Sequence, residues 1–146
     1  MKSYRLMSIF VTLLILGLGA CSETPTPSSH GGPVKDYVSL VDHLRTAGAS
    51  VVPVGQVTQP FFSVSGQTIT VNGAQVQVYE YANEDDANSE AARISPDGSK
   101  VGNTNVDWTA SPHFYKKSKI IVLYIGTNTS IMHILETTLG SPFAGR

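Results

Sequence analysis

Residues 68–81 carry the strongest folding instruction in the chain. Thr68-Ile69-Thr70-Val71, then Asn72-Gly73, then Ala74-Gln75-Val76-Gln77-Val78 make two alternating runs around a two-residue turn. Asn-Gly is the dipeptide that best accepts the two left-handed conformations of a type I′ hairpin turn. Such a turn leaves no freedom in register: Val71 must face Ala74, Thr70 Gln75, Ile69 Val76 and Thr68 Gln77. Ile69, Val71, Ala74, Val76 and Val78 then share one face, and Thr68, Thr70, Gln75 and Gln77 the other. A slip of one residue would turn every apolar side chain outward. Turn chemistry and patterning therefore demand the same hairpin.

Around it, three segments read as helices. Residues 36–47 place Tyr37, Leu40, Val41 and Leu44 on one side, with Gly48 as the stop. Residues 83–94 begin with Asn83 as N-cap and Glu84, Asp85 and Asp86 in the dipole-favoured first turn, with Ala87, Ala91 and Ile94 inward. Residues 128–139 turn Ile131, Ile134, Leu135 and Leu139 inward before Gly140. Strands are expected at 50–57, where Pro53 marks an edge or a bulge, at 61–64, at 101–109 and at 113–116. The run Ile120-Ile121-Val122-Leu123-Tyr124-Ile125 is apolar at every position, as a central strand covered on both faces must be. Ser95-Pro96-Asp97-Gly98 suits a type I turn. The pattern predicts an α+β fold: one mainly antiparallel twisted sheet with about three helices on one face, in a ferredoxin-like or cystatin-like arrangement.

The chain begins differently. Lys2 and Arg5 precede an apolar segment, and Leu18-Gly19-Ala20 leads into Cys21, the one cysteine of the sequence. A positive start, an apolar stretch and small residues are the parts of an export signal. Residues 6–20 number fifteen, short of the ~20 that span a bilayer. An ordinary secretory signal would leave Cys21 a thiol near the mature start. With cysteine at the cleavage point, the run resembles the lipobox of bacterial lipoproteins. That resemblance implies that residues 1–20 are a removed signal peptide. It further implies that Cys21 carries diacylglyceryl and N-acyl lipid, anchoring the protein to the cell membrane or outer membrane and facing outside the cytoplasm. Two or more acyl chains anchor stably, at ~0.8 kcal/mol per buried CH₂.

Residues 21–33 then read as a disordered tether, because Ser22 to Pro33 holds no apolar side chain that could offset the cost of ordering it. Residues 34–146 are long enough for a single core and too short for two. Removal of residues 1–20 leaves 8 basic against 11 acidic residues, a formal charge of −3. A scattered, slightly acidic set of charges argues against a nucleic-acid partner, which needs a basic stripe. It argues equally against adhesion to anionic lipid headgroups through the folded domain.

Four places could carry chemistry. Glu80 ends the second hairpin strand on the side of Val76 and Val78. A carboxylate held there could act as general acid or base, although a strand-end glutamate more often pairs with a lysine or accepts backbone hydrogen bonds. Trp108 and Pro112-His113-Phe114-Tyr115 could line an apolar pocket with polar handles. Alternation puts His113 and Tyr115 on one face and Phe114 on the other, and the plain alternative is core packing. No Gly-x-Ser-x-Gly elbow or helical Ser-x-x-Lys supports a serine hydrolase. His43, His113 and His133 stand alone, without neighbours at a metal spacing, and His30 is a solvated tether residue, so no metal or other cofactor is expected. Lys116-Lys117-Ser118-Lys119 is a basic hairpin tip that could touch an anionic partner or lipid headgroups; the preferred reading is a solvated turn whose charges guard the apolar strand that follows. Asn128-Thr129-Ser130 fits a glycosylation sequon that a bacterial address makes accidental.

A second likeness rests on residues 65–67, 76–81, 94–98, 112–115 and 143–145. These look like stretches of small uncharacterised bacterial lipoproteins, and the resemblance carries no activity. The reading favoured is a non-catalytic ligand- or partner-binding module, its candidate surface formed by Glu80, Trp108, His113 and Tyr115. A hydrolase-type enzyme using Glu80 with His113, or an envelope assembly or inhibitor-like subunit acting through a strand edge, are the rivals. Cys21→Ser tests the anchor: lipid labelling should be abolished and the protein should leave the membrane fraction. Variant protein that still partitions with membranes would refute lipidation at Cys21.

Overall fold

The computed structural model describes residues 32–145; residues 1–20, Cys21 and the tether up to Gly31 lie outside the described residues. In chain order the elements are α1 (Tyr37–Thr46), β1 (Val51–Val57), β2 (Gly66–Val71), β3 (Ala74–Glu80), α2 (Glu84–Ala91), β4 (Lys100–Val101), β5 (Thr104–Asn105), β6 (Pro112–Lys117), β7 (Ile120–Ile125), α3 (Thr129–Leu139) and β8 (Ala144–Gly145). Six strands form one open sheet in the order β1-β2-β3-β7-β6-β8, every neighbouring pair antiparallel. The fold is α+β.

The hairpin follows its turn. Asn72 and Gly73 have φ of 48° and 86°, and β2 pairs with β3 in the register deduced from the sequence, Val71 with Ala74 through Thr68 with Gln77. β1 is an edge strand, and its pairing slips between Pro53 and Gly55, where a bulge is accommodated. Asn83 caps α2 as expected, and Asp36 and Asn128 cap α1 and α3 in the same way. Asp36 accepts a hydrogen bond from Ser39 N, Asn83 from Asp86 N, and Asn128 from Ser130 N.

β7 lies between β3 and β6, and Ile120, Ile121, Val122 and Leu123 are wholly buried. Its two faces seed two cores. Ile120, Val122 and Tyr124 join Ile69, Val71, Val76, Val78 and Tyr115 beneath Leu40, Val41 and Leu44 of α1 and Ile131, Leu135 and Leu139 of α3. Ile121 and Leu123 join Phe61, Phe62, Tyr79, Tyr81, Phe114 and Ala144, with Ala87 of α2. The helices thus number three among the described residues, as expected, but they divide between the faces rather than sharing one. A strand apolar at every position needs cover on both sides, and α1 and α3 can cover only one of them.

Two expected strands are not strands. Residues 61–64 form a turn, in which Phe61 and Phe62 are both buried on the same side. Phe61 meets Trp108 edge-on at 5.8 Å and Phe62 lies 4.3 Å from the Tyr79 ring. Two adjacent rings facing one core cannot both lie on the pleat of a strand. Residues 101–109 are broken by Gly102, φ 58°, and supply only the two-residue strands β4 and β5. Tyr79 also explains a glycine the pattern could not. Its ring lies over Gly66, where a Cβ would come within 2.8 Å of the ring and of Val78 O.

Tyr115 is buried on the α1/α3 side, and its hydroxyl has no hydrogen-bond partner. Burial, then the nearby charges of Glu136 and Tyr124, push the phenol up to about 12 from its ordinary 10.0. A raised folded-state value means that folding retains the proton. The associated stability is present below pH 10 and is lost as pH climbs through 12. Tyr115→Phe should leave stability at neutral pH unchanged or raised by up to ~1 kcal/mol. It should also flatten the alkaline decline between pH 10 and 12, as read by urea midpoints. An equally steep decline in the variant would refute this assignment.

Candidate functional site

The four residues singled out from the sequence do not converge. Glu80 sits at the end of β3, where its Oε1 pairs with Lys119 Nζ at 2.7 Å and its Oε2 accepts from Tyr37 N at 3.0 Å. It ties the β6–β7 turn to the start of α1. His113 is 4% exposed, its Nε2 within 3.0 Å of Gly126 O, with its ring stacked on Tyr124. Both side chains lie on the α1/α3 face. Glu80 pairs with Ile120 and Ile120 with Lys117, whereas His113 pairs with Tyr124 four positions further along. Four residues and two strand spacings separate them by roughly 16 Å. No proton passes directly between side chains over that distance.

Trp108 belongs to the opposite face. Its indole N–H donates to Gly98 O at 2.7 Å and its ring sits edge-on to Phe61 and Phe114, each at 5.8 Å. The sheet separates it from Tyr115 and His113, so the Trp108–Tyr115 segment contributes to two cores rather than to one pocket. Among the described residues no cluster of three or more His, Cys, Asp or Glu could hold a metal ion. None of their helices is long and apolar enough to cross a membrane.

The polar chemistry that the fold does concentrate lies around Glu90. This carboxylate is 4% exposed, on the face of α2 that carries Ala87. Arg93 Nη1 donates to Oε1, and Ser63 Oγ and Ser63 N donate to Oε2. The Arg93 guanidinium packs against Gly102, whose backbone N–H donates to Arg93 O at 2.7 Å. One buried carboxylate therefore fastens the 58–65 loop, α2 and the β4–β5 turn together. Beside it opens a cleft of about 330 Å³, lined by Ser63, Tyr81, Asp86, Ser89, Glu90 and Arg93 among others. That is at the lower end of the volumes small ligands occupy.

Tyr81 is 3% exposed, and its hydroxyl has no hydrogen-bond partner. Burial, then the charges of Glu90 and Tyr79, raise the phenol well above its ordinary range, against the opposing pull of Arg93. The hydroxyl stays neutral and can donate. Tyr81 lines the cleft, and a buried hydroxyl left without a partner is the kind of group that an ordered water, or a ligand able to reach it, completes.

The arrangement suits binding better than hydrolysis. Both Glu90 oxygens are already engaged, and the described histidines belong to α1, α3 and the α1/α3 face of β6, across the sheet from Ser63. Among the described residues no base–orienter pair activates that serine. The spacing in the sequence did hold a signal. Glu90 stands three residues after Ala87 and four before Ile94, on the stripe predicted to face inward, with Arg93 at i+3 as its partner. Tyr81 and Ser63 come to it only through the tertiary fold. Comparison with protein-family models, with curated proteins and with solved structures finds no match for this chain.

Glu90→Ala should destabilise the domain by about 1–3 kcal/mol, because Ser63 and Arg93 lose their acceptor. The lower part of the range applies if the half-exposed guanidinium turns to water. Glu90→Gln, which keeps an acceptor for Ser63, should cost less. Urea midpoints of the two variants check the order, and equal losses would contradict a clamp that works through the hydrogen bonds Ser63 donates.

Proposed function

We propose that this protein is a non-catalytic binding module, held outside the cytoplasm by lipid on Cys21, that takes a small polar ligand in the Glu90 cleft. The observation that carries the reading is Tyr81, which lines the cleft together with Glu90, Arg93 and Ser63 and whose hydroxyl is buried without a partner. A ligand bearing a hydroxyl or amide would satisfy that phenol while the ion pair stays intact, which favours recognition over chemistry. The lipobox resemblance and the apolar-free tether support the address. The wide separation of Glu80 and His113 along the sheet weighs against the acid–base enzyme.

A second reading, a partner-binding subunit, is favoured by β1. This edge strand exposes Val52 and Val54 by 54% and 57% beside the polar Thr68, Thr70, Gln75 and Gln77 face. Amide chemical-shift mapping of residues 22–146 with small polar fragments tests the choice. Perturbations should cluster at Ser63, Tyr81, Ser89 and Arg93 and fall about tenfold in apparent affinity in Tyr81→Phe, the size expected for one good hydrogen bond to a buried group. Perturbations confined to β1 would refute the cleft and favour the edge.

A further inference from the structure

The root of the tether and the lysines of the β6–β7 turn come together at one end of the molecule. Val34 is 4% exposed and belongs to the α1/α3 core, so the chain is pinned at the point where the domain begins. His43 Nε2 contacts Gly32 O just before it. Two grooves flank this root. One, of about 490 Å³, is lined by Pro33, Val34, Lys35, Glu84, Lys116 and Lys117. The other, of about 400 Å³, runs between Pro33, Val34, His43 and Lys117 and reaches Thr137 and Thr138 at the end of α3. Lys117 lines both. The Asn72-Gly73 turn lies at the far end, since β3 begins opposite the end of β7.

Charge at this end is only partly spent internally. Lys119 pairs with Glu80, and Lys116 Nζ lies 3.6 Å from the exposed Glu84. Lys35 and Lys117 have no acidic partner among the described residues. We infer that the Lys35/Lys116/Lys117 end is the membrane-facing end of the domain and rests on anionic lipid headgroups. This inference adds an orientation to the lipid-anchor reading and rests on it. The stretch of ten residues, 22–31, between Cys21 and the described residues spans at most about 36 Å. The point where it joins the domain is therefore the point that most often visits the bilayer surface. Once there, lysines within a Debye length of about 8 Å are attracted to anionic headgroups. The overall charge of −3 repels the rest of the domain from the same surface, which enforces one orientation.

Cys21 is the only thiol, so mature protein can be joined through it to a maleimide lipid in vesicles. The contact is then tested whether or not the cell lipidates Cys21. On phosphatidylglycerol vesicles, acetylation of Lys35 and Lys117 read by mass spectrometry should slow by about fivefold relative to phosphatidylcholine vesicles, the factor expected for one lysine at an anionic surface. Half-molar salt should restore the rate, and Lys100, on the β4–β5 hairpin, should not change. Equal rates on the two vesicles, or slowing of Lys100 to the same degree, would overturn the orientation.

Discussion

The structure depends on the burial of β7 from both sides. Ile120, Ile121, Val122 and Leu123 are each fully buried, and at about 1.5–3 kcal/mol per side chain the four contribute roughly 6–12 kcal/mol before corrections for a compact unfolded state. That is as large as the whole net stability of a typical domain, about 5–15 kcal/mol. A strand so placed also dictates the layer plan: helices α1 and α3 on one face, and an aromatic cluster with α2 on the other.

The second face is assembled from pieces that are weak by themselves. The 58–65 loop, an eight-residue helix and two two-residue strands have little intrinsic preference for their conformations. Their order comes from ring contacts among Phe61, Phe62, Tyr79, Trp108 and Phe114 and from the Glu90 clamp. A buried carboxylate is costly unless each oxygen is satisfied, and here Arg93 and Ser63 do so from separate segments. The same requirement that closes this face leaves a cleft beside it, with the Tyr81 hydroxyl unmet. Structure and candidate function share those residues.

Two further polar side chains are occupied in holding elements together. Glu80 links Lys119 to the first turn of α1, and His113 is held between Gly126 O and Tyr124. Alternation placed His113 and Tyr115 on one face and Phe114 on the other, and the register agrees. What alternation could not show was which face each neighbour in space would occupy. Trp108 therefore looked contiguous with Tyr115 in the sequence and is separated from it by the sheet.

The sequence by itself determined the local structure wherever a short-range rule was strong enough: the Asn72-Gly73 register, the Asn83 N-cap, the Pro53 irregularity and the doubly covered β7. In each, the residues that decide the outcome lie within a few positions of one another, so no knowledge of the fold is needed. Only the tertiary structure decided the strand order, the sharing of helices between the faces, the loss of strand at 61–64 and 101–109, and the meeting of Ser63, Tyr81, Glu90 and Arg93. Those outcomes rest on contacts between residues far apart in the chain. There, burying two adjacent phenylalanines or satisfying one carboxylate outweighs the preference of a few residues for an extended backbone.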